Sequence, residues 1–161
     1  MNIFILDRNP VLAAQYQCNK HVVKMVLESA QILCSVRWHY GLTAPYKETH
    51  KNHPCVLWAK KSKQNYLWLV EHFRALLDEY TFRYEKRHAC ERIYTEIEVP
   101  PSKIPDEGLT NFVMAMPEIY KTNDVVKSYR SYYIIDKSRF AVWSKRERPN
   151  WWDSEICRGV Q

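Results

Sequence analysis

Hydrophobic and polar positions along this chain recur at helical rather than strand spacing. No proline or glycine occurs between Val11 and Tyr40, and one long helix is predicted there, with Asp7 or Asn9 as cap and Pro10 in its first turn. Pro54 opens a second helix, capped by His53 or Asn52. Its stripe of Tyr66, Leu69, Val70, Phe73, Leu76, Leu77 and Tyr80 carries it to about Arg87. A shorter helix is expected near Cys90 to Ile97, and one or two helical turns within LTNFVMAM. A last long helix is expected from Asp124 to about Trp143, capped by Asn123 or Thr122. NIFIL at the start reads as a strand or an extended segment, VPPSKIPDEG as a loop, and RERPNWWDSEICRGV as irregular. The expectation is an all-α fold: a compact single domain over residues 1–161, with about three long helices, short helices and an irregular aromatic C-terminal tail.

Within the first helix, CNKHVVKMVLESAQ combines an apolar majority with Lys20, His21, Lys24, Glu28 and Gln31. At helical spacing these polar groups and Gln17 fall in one arc of roughly 100°. Val22, Val23, Val26, Leu27, Ala30 and Leu33 cover the rest. Two readings stand open. The seam is a solvent edge with an ordinary Lys24–Glu28 pair, or it lines a cleft whose apolar walls make Lys20 or Lys24 available as a neutral amine. In the second reading His21 is an acid, base or phosphate donor and Glu28 a base or counter-charge. Lys20, His21, Lys24 and Glu28 are the candidate catalytic residues.

Composition narrows the functional classes. With only Gly41, Gly108 and Gly159, the chain lacks the clustered glycines of a phosphate-binding loop, and no cofactor is expected. No apolar run reaches a membrane span, and the start does not read as a signal peptide, so a cytoplasmic protein without membrane association is expected. The five cysteines read as reduced thiols. Cys18, His21, His50 and His53 could be sketched as a zinc set, but their spacing fits no finger pattern, and no metal is expected. The net charge of +6 permits an anionic partner. YTFRYEKRH and KSYRSYYIIDKSRF interleave aromatics with Arg83, Arg87, Lys127, Arg130, Lys137 and Arg139, a pattern that suits DNA. In the tail, Trp151 and Trp152 beside Arg146 and Arg148 could grip a strand or plug the core.

Three stretches in order, PVLAAQYQCNKHVV, THKNHP and RPNWW, resemble the phage pyrimidine-dimer DNA glycosylase (endonuclease V) family, and together they span most of the chain. The resemblance implies a compact all-α protein that binds and kinks duplex DNA. It also implies a nucleophilic N-terminal α-amine that forms a Schiff base at the sugar, assisted by a glutamate on the first long helix. His50, Lys51 and Asn52 of the second stretch join Arg83, Arg87, Lys127, Arg130, Lys137, Arg146, Arg148 and Trp151 as candidate DNA contacts. Ungapped alignment from Leu12 sets Val23 at the family's glutamate, Val22 and Val26 at two of its arginines and Tyr16 at its histidine. Asn2 is not a small residue, so Met1 is expected to stay. The expected function is a phage-type DNA glycosylase/AP-lyase-like protein acting on a damaged or modified, extruded pyrimidine. The Met1 amine, Lys20 or Lys24 would be the nucleophile and Glu28 the carboxylate. A base-modifying transferase and a non-catalytic DNA- or partner-binding protein are the alternatives.

Overall fold

A computed structural model describes residues 1–156. The order is α1 (Pro10–Tyr16), α2 (Asn19–His39), α3 (Pro54–Lys61), α4 (Lys63–Tyr84), a 3-10 turn at Ala89–Ile93 running into α5 (Tyr94–Ile97), a 3-10 turn at Glu118–Tyr120, α6 (Val125–Lys137) and α7 (Asn150–Ile156). The all-α expectation holds. No helix among the described residues is long and apolar enough to cross a membrane.

Both long helices expected near the start are broken in two. Gln17 and Cys18 are extended, with ψ of 139° and 163°. Gln17 N–H still donates to Ala14 C=O (3.2 Å), but Cys18 N–H donates to the Tyr133 hydroxyl (2.9 Å) and the Gln17 side-chain amide to Ile3 C=O (3.1 Å). Neither Tyr133 nor Ile3 is a local partner, so the helical pattern alone could not show the break. Ser62 is likewise extended, and its hydroxyl accepts from Gln64 N–H and donates to Gly108 C=O (2.7 Å), ending α3 and capping α4. The last long helix is shorter than expected. Asp124 is its cap rather than its first residue, accepting from Val126 and Lys127 N–H, and the helix stops at Lys137. LTNFVMAM is irregular, and the tail expected to be irregular forms α7.

The N-terminal arm is neither strand nor surface. Ile3, Ile5 and Leu6 are fully buried and Phe4 nearly so. Phe4 stacks on His21 of α2 (4.4 Å between centroids) and meets Tyr129 and Tyr133 of α6 edge-on. Arg130 donates to Leu6 C=O (2.9 Å) and lies over the rings of Tyr16 and Trp151. Trp151 and Trp152, each 5% exposed, close this end of the core.

A buried ion cluster fastens the C-terminal segment to α4. Glu79 accepts from Arg83 Nε (2.8 Å) and from two Arg146 nitrogens (2.9 and 2.8 Å), while Arg83 also donates to Gln15 C=O and the Asn19 side chain. The Arg83 side chain is fully buried, so removing Glu79 strands a desolvated guanidinium. Glu79→Ala is therefore expected to lower stability by about 3–5 kcal/mol. Arg146→Ala, at a side chain still one-third exposed, should cost clearly less. Urea unfolding of both variants checks the order; equal losses would contradict it.

Candidate active site around the chain start

The arm that crosses the core delivers the chain start to α2. The Met1 α-amine lies 3.8 Å from Glu28 Oε2. Asn2 N–H donates to the same oxygen (2.9 Å), and Lys24 Nζ stands 3.4 Å from Oε1. Glu28 is 8% exposed, so three nitrogens around one carboxylate satisfy a group that would be costly to bury alone. The Asn2 side chain fixes the arm. Its Oδ1 accepts from Ile3 N–H (2.8 Å) and Phe4 N–H (3.1 Å), and its Nδ2 donates to Ala115 C=O (2.7 Å). That turn carries Phe4 through a φ of +57°, a conformation bulky residues rarely adopt.

The loop before α3 closes over the same region. Thr49 exchanges hydrogen bonds with Ser35 of α2, through its C=O (2.9 Å) and its N–H (3.1 Å). His53 caps α3, accepting from Cys55 N–H. Burial holds the His53 imidazole below its ordinary pKa, with smaller pushes from the amino terminus and His50 and an opposing pull from Glu28. Ser35, His39, Glu48, Lys51, Asn52, Val56 and Lys60 line a groove of about 210 Å³ beside this loop.

The polar seam of α2 divides. Lys20 and Lys24 are exposed, Gln31 half-buried, and His21 and Glu28 buried along one border. Val23 and Leu27, expected among the buried walls, are 41% and 40% exposed, while Gln17 lies outside the helix and fully buried. Lys20 points its ammonium at the Phe140 ring (4.7 Å) rather than at Glu28. His21 lies between Phe4, Tyr133 and Phe140, and its Nδ1 has no partner among the described residues. Burial, then Lys137, Lys24 and Lys20, lower its pKa to about 3. His21 is therefore a neutral ring of the core, and its candidacy as acid or base is corrected. Of the catalytic candidates, Lys24 and Glu28 meet at the amine and Lys20 does not.

The DNA-contact candidates also sort by partner. His50, Lys51, Asn52 and Lys127 are exposed. Arg87 and Arg148 are largely exposed while pairing with Glu91 (3.5 Å) and Asp153 (3.1 Å). Arg83 is corrected, because its side chain is sealed in the Glu79 cluster. Trp151 is corrected as a strand-gripping ring by its burial. Arg130 and Arg146 are engaged with Asp7 and Glu79, and Lys137 lies against Tyr132 (4.6 Å). The sketched zinc set does not assemble: no metal-binding group of three or more His, Cys, Asp or Glu occurs among the described residues. Cys18, Cys34, Cys55 and Cys90 are free thiols, and Cys157 lies outside the described residues. Sequence reasoning did not name Asn2 beside this carboxylate, and it considered His53 only as a helix cap and in the zinc sketch. The signal for Asn2 was its adjacency to the chain start, and for His53 its place in the loop beside the resembling KNHP.

A histidine neutral in the fold and protonated in the unfolded chain makes acid destabilising. The unfolded chain binds the extra proton below pH 6.5, so stability falls as pH drops from there towards 3. Fully buried His72, lowered by burial to about 4, acts in the same direction. His21→Leu is expected to make the loss between pH 6 and 4 shallower by up to about 1.4 kcal/mol per pH unit. Urea midpoints across that range test this; an unchanged slope would count against a neutral His21.

A family model described as pyrimidine dimer DNA glycosylase matches residues 1–92, more than half of the 161-residue chain. The matched stretch contains the arm, α1 to α4, Lys24, Glu28 and the loop before α3. No curated protein and no solved structure matches the chain.

Proposed function

The chain belongs to the pyrimidine dimer DNA glycosylase family, and on that premise we propose that it excises a damaged pyrimidine from DNA with the Met1 α-amine as nucleophile and Glu28 as its partner. The observation that supports this reading is the 3.8 Å approach of the amine to a buried carboxylate that Asn2 N–H also holds. The family pattern of a terminal amine and a glutamate on the first long helix then falls on Glu28. Val23, the ungapped match, is an exposed valine with no acid–base chemistry.

The chemistry follows from these groups. The neutral amine attacks the sugar C1′, the glycosidic bond breaks, and its electron pair leaves with the pyrimidine, which takes up a proton. The proton lost by the amine passes to the Glu28 carboxylate. The nitrogen lone pair then forms the C1′=N bond as the C1′–O4′ pair leaves on O4′, which takes the proton from Glu28; the product is the protonated imine. In the lyase continuation, loss of a C2′ proton expels the 3′ phosphate and the strand is nicked. Lys24, 64% exposed, balances the Glu28 charge from the solvent side. His50, Lys51, Asn52 and Lys127 are the exposed groups proposed to meet phosphates, with Arg87 and Arg148 at the margins. The substrate is duplex DNA with the damaged base turned out of the stack.

Borohydride trapping on DNA containing a pyrimidine dimer or abasic site tests the reading. A covalent adduct is expected on the N-terminal peptide, lost when the α-amine is acetylated and kept in Lys24→Met. Glu28→Gln should lower the excision rate by about 10²–10⁴-fold, with duplex affinity changed only a few-fold. An adduct on Lys24, or full activity after amine acetylation, would overturn the assignment.

A further inference from the structure

Beside the amine a row of rings reaches the surface. Tyr120 contacts Tyr132 (5.1 Å between centroids), Tyr132 stacks with Phe4 (6.1 Å), Phe4 with His21 (4.4 Å), and His21 meets Phe140 (5.6 Å). Phe4 and His21 are buried, whereas Tyr120, Tyr132 and Phe140 are only partly so. Cations stand over the outer rings. Lys20 and Arg139 lie over Phe140 (4.7 and 5.6 Å), and Lys137 lies over Tyr132 (4.6 Å). Two of these side chains belong to the exposed edge of the structure: Lys20 and Arg139.

The row is joined to the reactive end at two points. Phe4 lies two residues beyond Asn2 on the same arm. Along α2, Lys24 contacts Glu28 and Lys20 follows one turn away, so cations lead from the carboxylate to Phe140. Glu28 and Lys20 are eight residues apart, about 12 Å of helix, and the phosphates of one strand recur every ~3.4 Å along the duplex axis. Asp136 is the acid at this patch, and it is already engaged by Tyr120 (3.1 Å) and Lys137 (3.9 Å).

We propose that the Phe140–Lys20–Arg139 patch binds an unstacked nucleotide neighbouring the attacked sugar, its base on the Phe140 ring and its phosphate on the lysine and arginine. This rests on the glycosylase reading and goes beyond it by assigning a second contact outside the reacting centre. The charge selects a polyanion. The ring selects a base whose face is free, which a base inside an intact duplex does not offer. Lys20 sits on the ring as a flexible, exposed cation and can swing to a phosphate when a base takes its place.

The probe is a duplex carrying a tetrahydrofuran abasic analogue, which cannot be cleaved, with an unpaired 2-aminopurine beside it. Binding of the full-length protein is expected to change 2-aminopurine emission as its base stacks. Phe140→Leu keeps apolar volume without a ring and should weaken binding of this probe about tenfold, whereas Phe140→Trp keeps it. Lys20→Gln should lower the slope of log affinity against log salt by about one. Wild-type binding with unchanged emission, or an equal loss for Phe140→Leu on an undamaged, fully paired duplex, would overturn the proposal. Failure of borohydride trapping with ring-dependent binding intact would overturn the glycosylase reading alone.

Discussion

A carboxylate buried on α2 governs the arrangement of this protein. Glu28 is 8% exposed, with Met25, Val26, Ser29 and Ala30 buried on the same helix and Lys24 and Leu27 exposed. An isolated charge there costs several kcal/mol, and the fold offsets that by bringing the chain start to it. The α-amine and the Asn2 amide reach Glu28 only because residues 3–6 run through the interior between α2 and α6. The arm's own polar backbone then needs partners, and these come from the broken helix and from α6: Gln17 takes Ile3 C=O and Arg130 takes Leu6 C=O. The break at Gln17–Cys18 is in this sense a consequence of threading the arm. An unbroken helix would turn the Gln17 side chain away.

The second buried charge cluster has a different character. Glu79 is shared by Arg83 and Arg146, and Arg83 is closed off completely. All three groups contact protein, and no reacting atom could approach Arg83. Its effect is to tie residue 146 to α4, which seats Trp151 and Trp152 against the arm's end of the core. The Glu28 cluster thus faces outward through an exposed lysine, whereas the Glu79 cluster serves assembly.

That distinction sets what the sequence could disclose. The all-α class, a cap at His53 or Asn52 and the Lys24–Glu28 pair were readable, because each depends on local spacing and residue type. Arg83 and Trp151 were misread because cations interleaved with aromatics look the same whether they meet phosphates or a buried glutamate 4 residues away. The position of the buried glutamate relative to the arm was hidden for a related reason. Alignment without gaps assumes one continuous helix from α1 into α2, whereas the break shifts the positions that face the arm, leaving Val23 outside and Glu28 within. The partner that makes the break, Tyr133, lies 115 residues from Cys18. His21 shows the limit in another way: a histidine between two lysines reads as chemistry, and only the ring stacked at 4.4 Å shows it to be packing.

An amine at a chain end faces a particular difficulty, since termini fray unless they are tied down. Here the tie is made before the first buried residue. Asn2 holds the turn through Ile3 and Phe4 N–H, spans to Ala115, and lends its own amide to Glu28. The turn forces Phe4 to a positive φ, at a cost on the order of 1–3 kcal/mol. Burial of the Phe4 ring against His21, Tyr129 and Tyr133 offsets that cost, since an aromatic side chain removes ~150–250 Å² from water. Strain at residue 4, order at residue 2 and proximity at residue 1 are thus one device. The aromatic packing around Phe4 is what holds the amine near the Glu28 carboxylate.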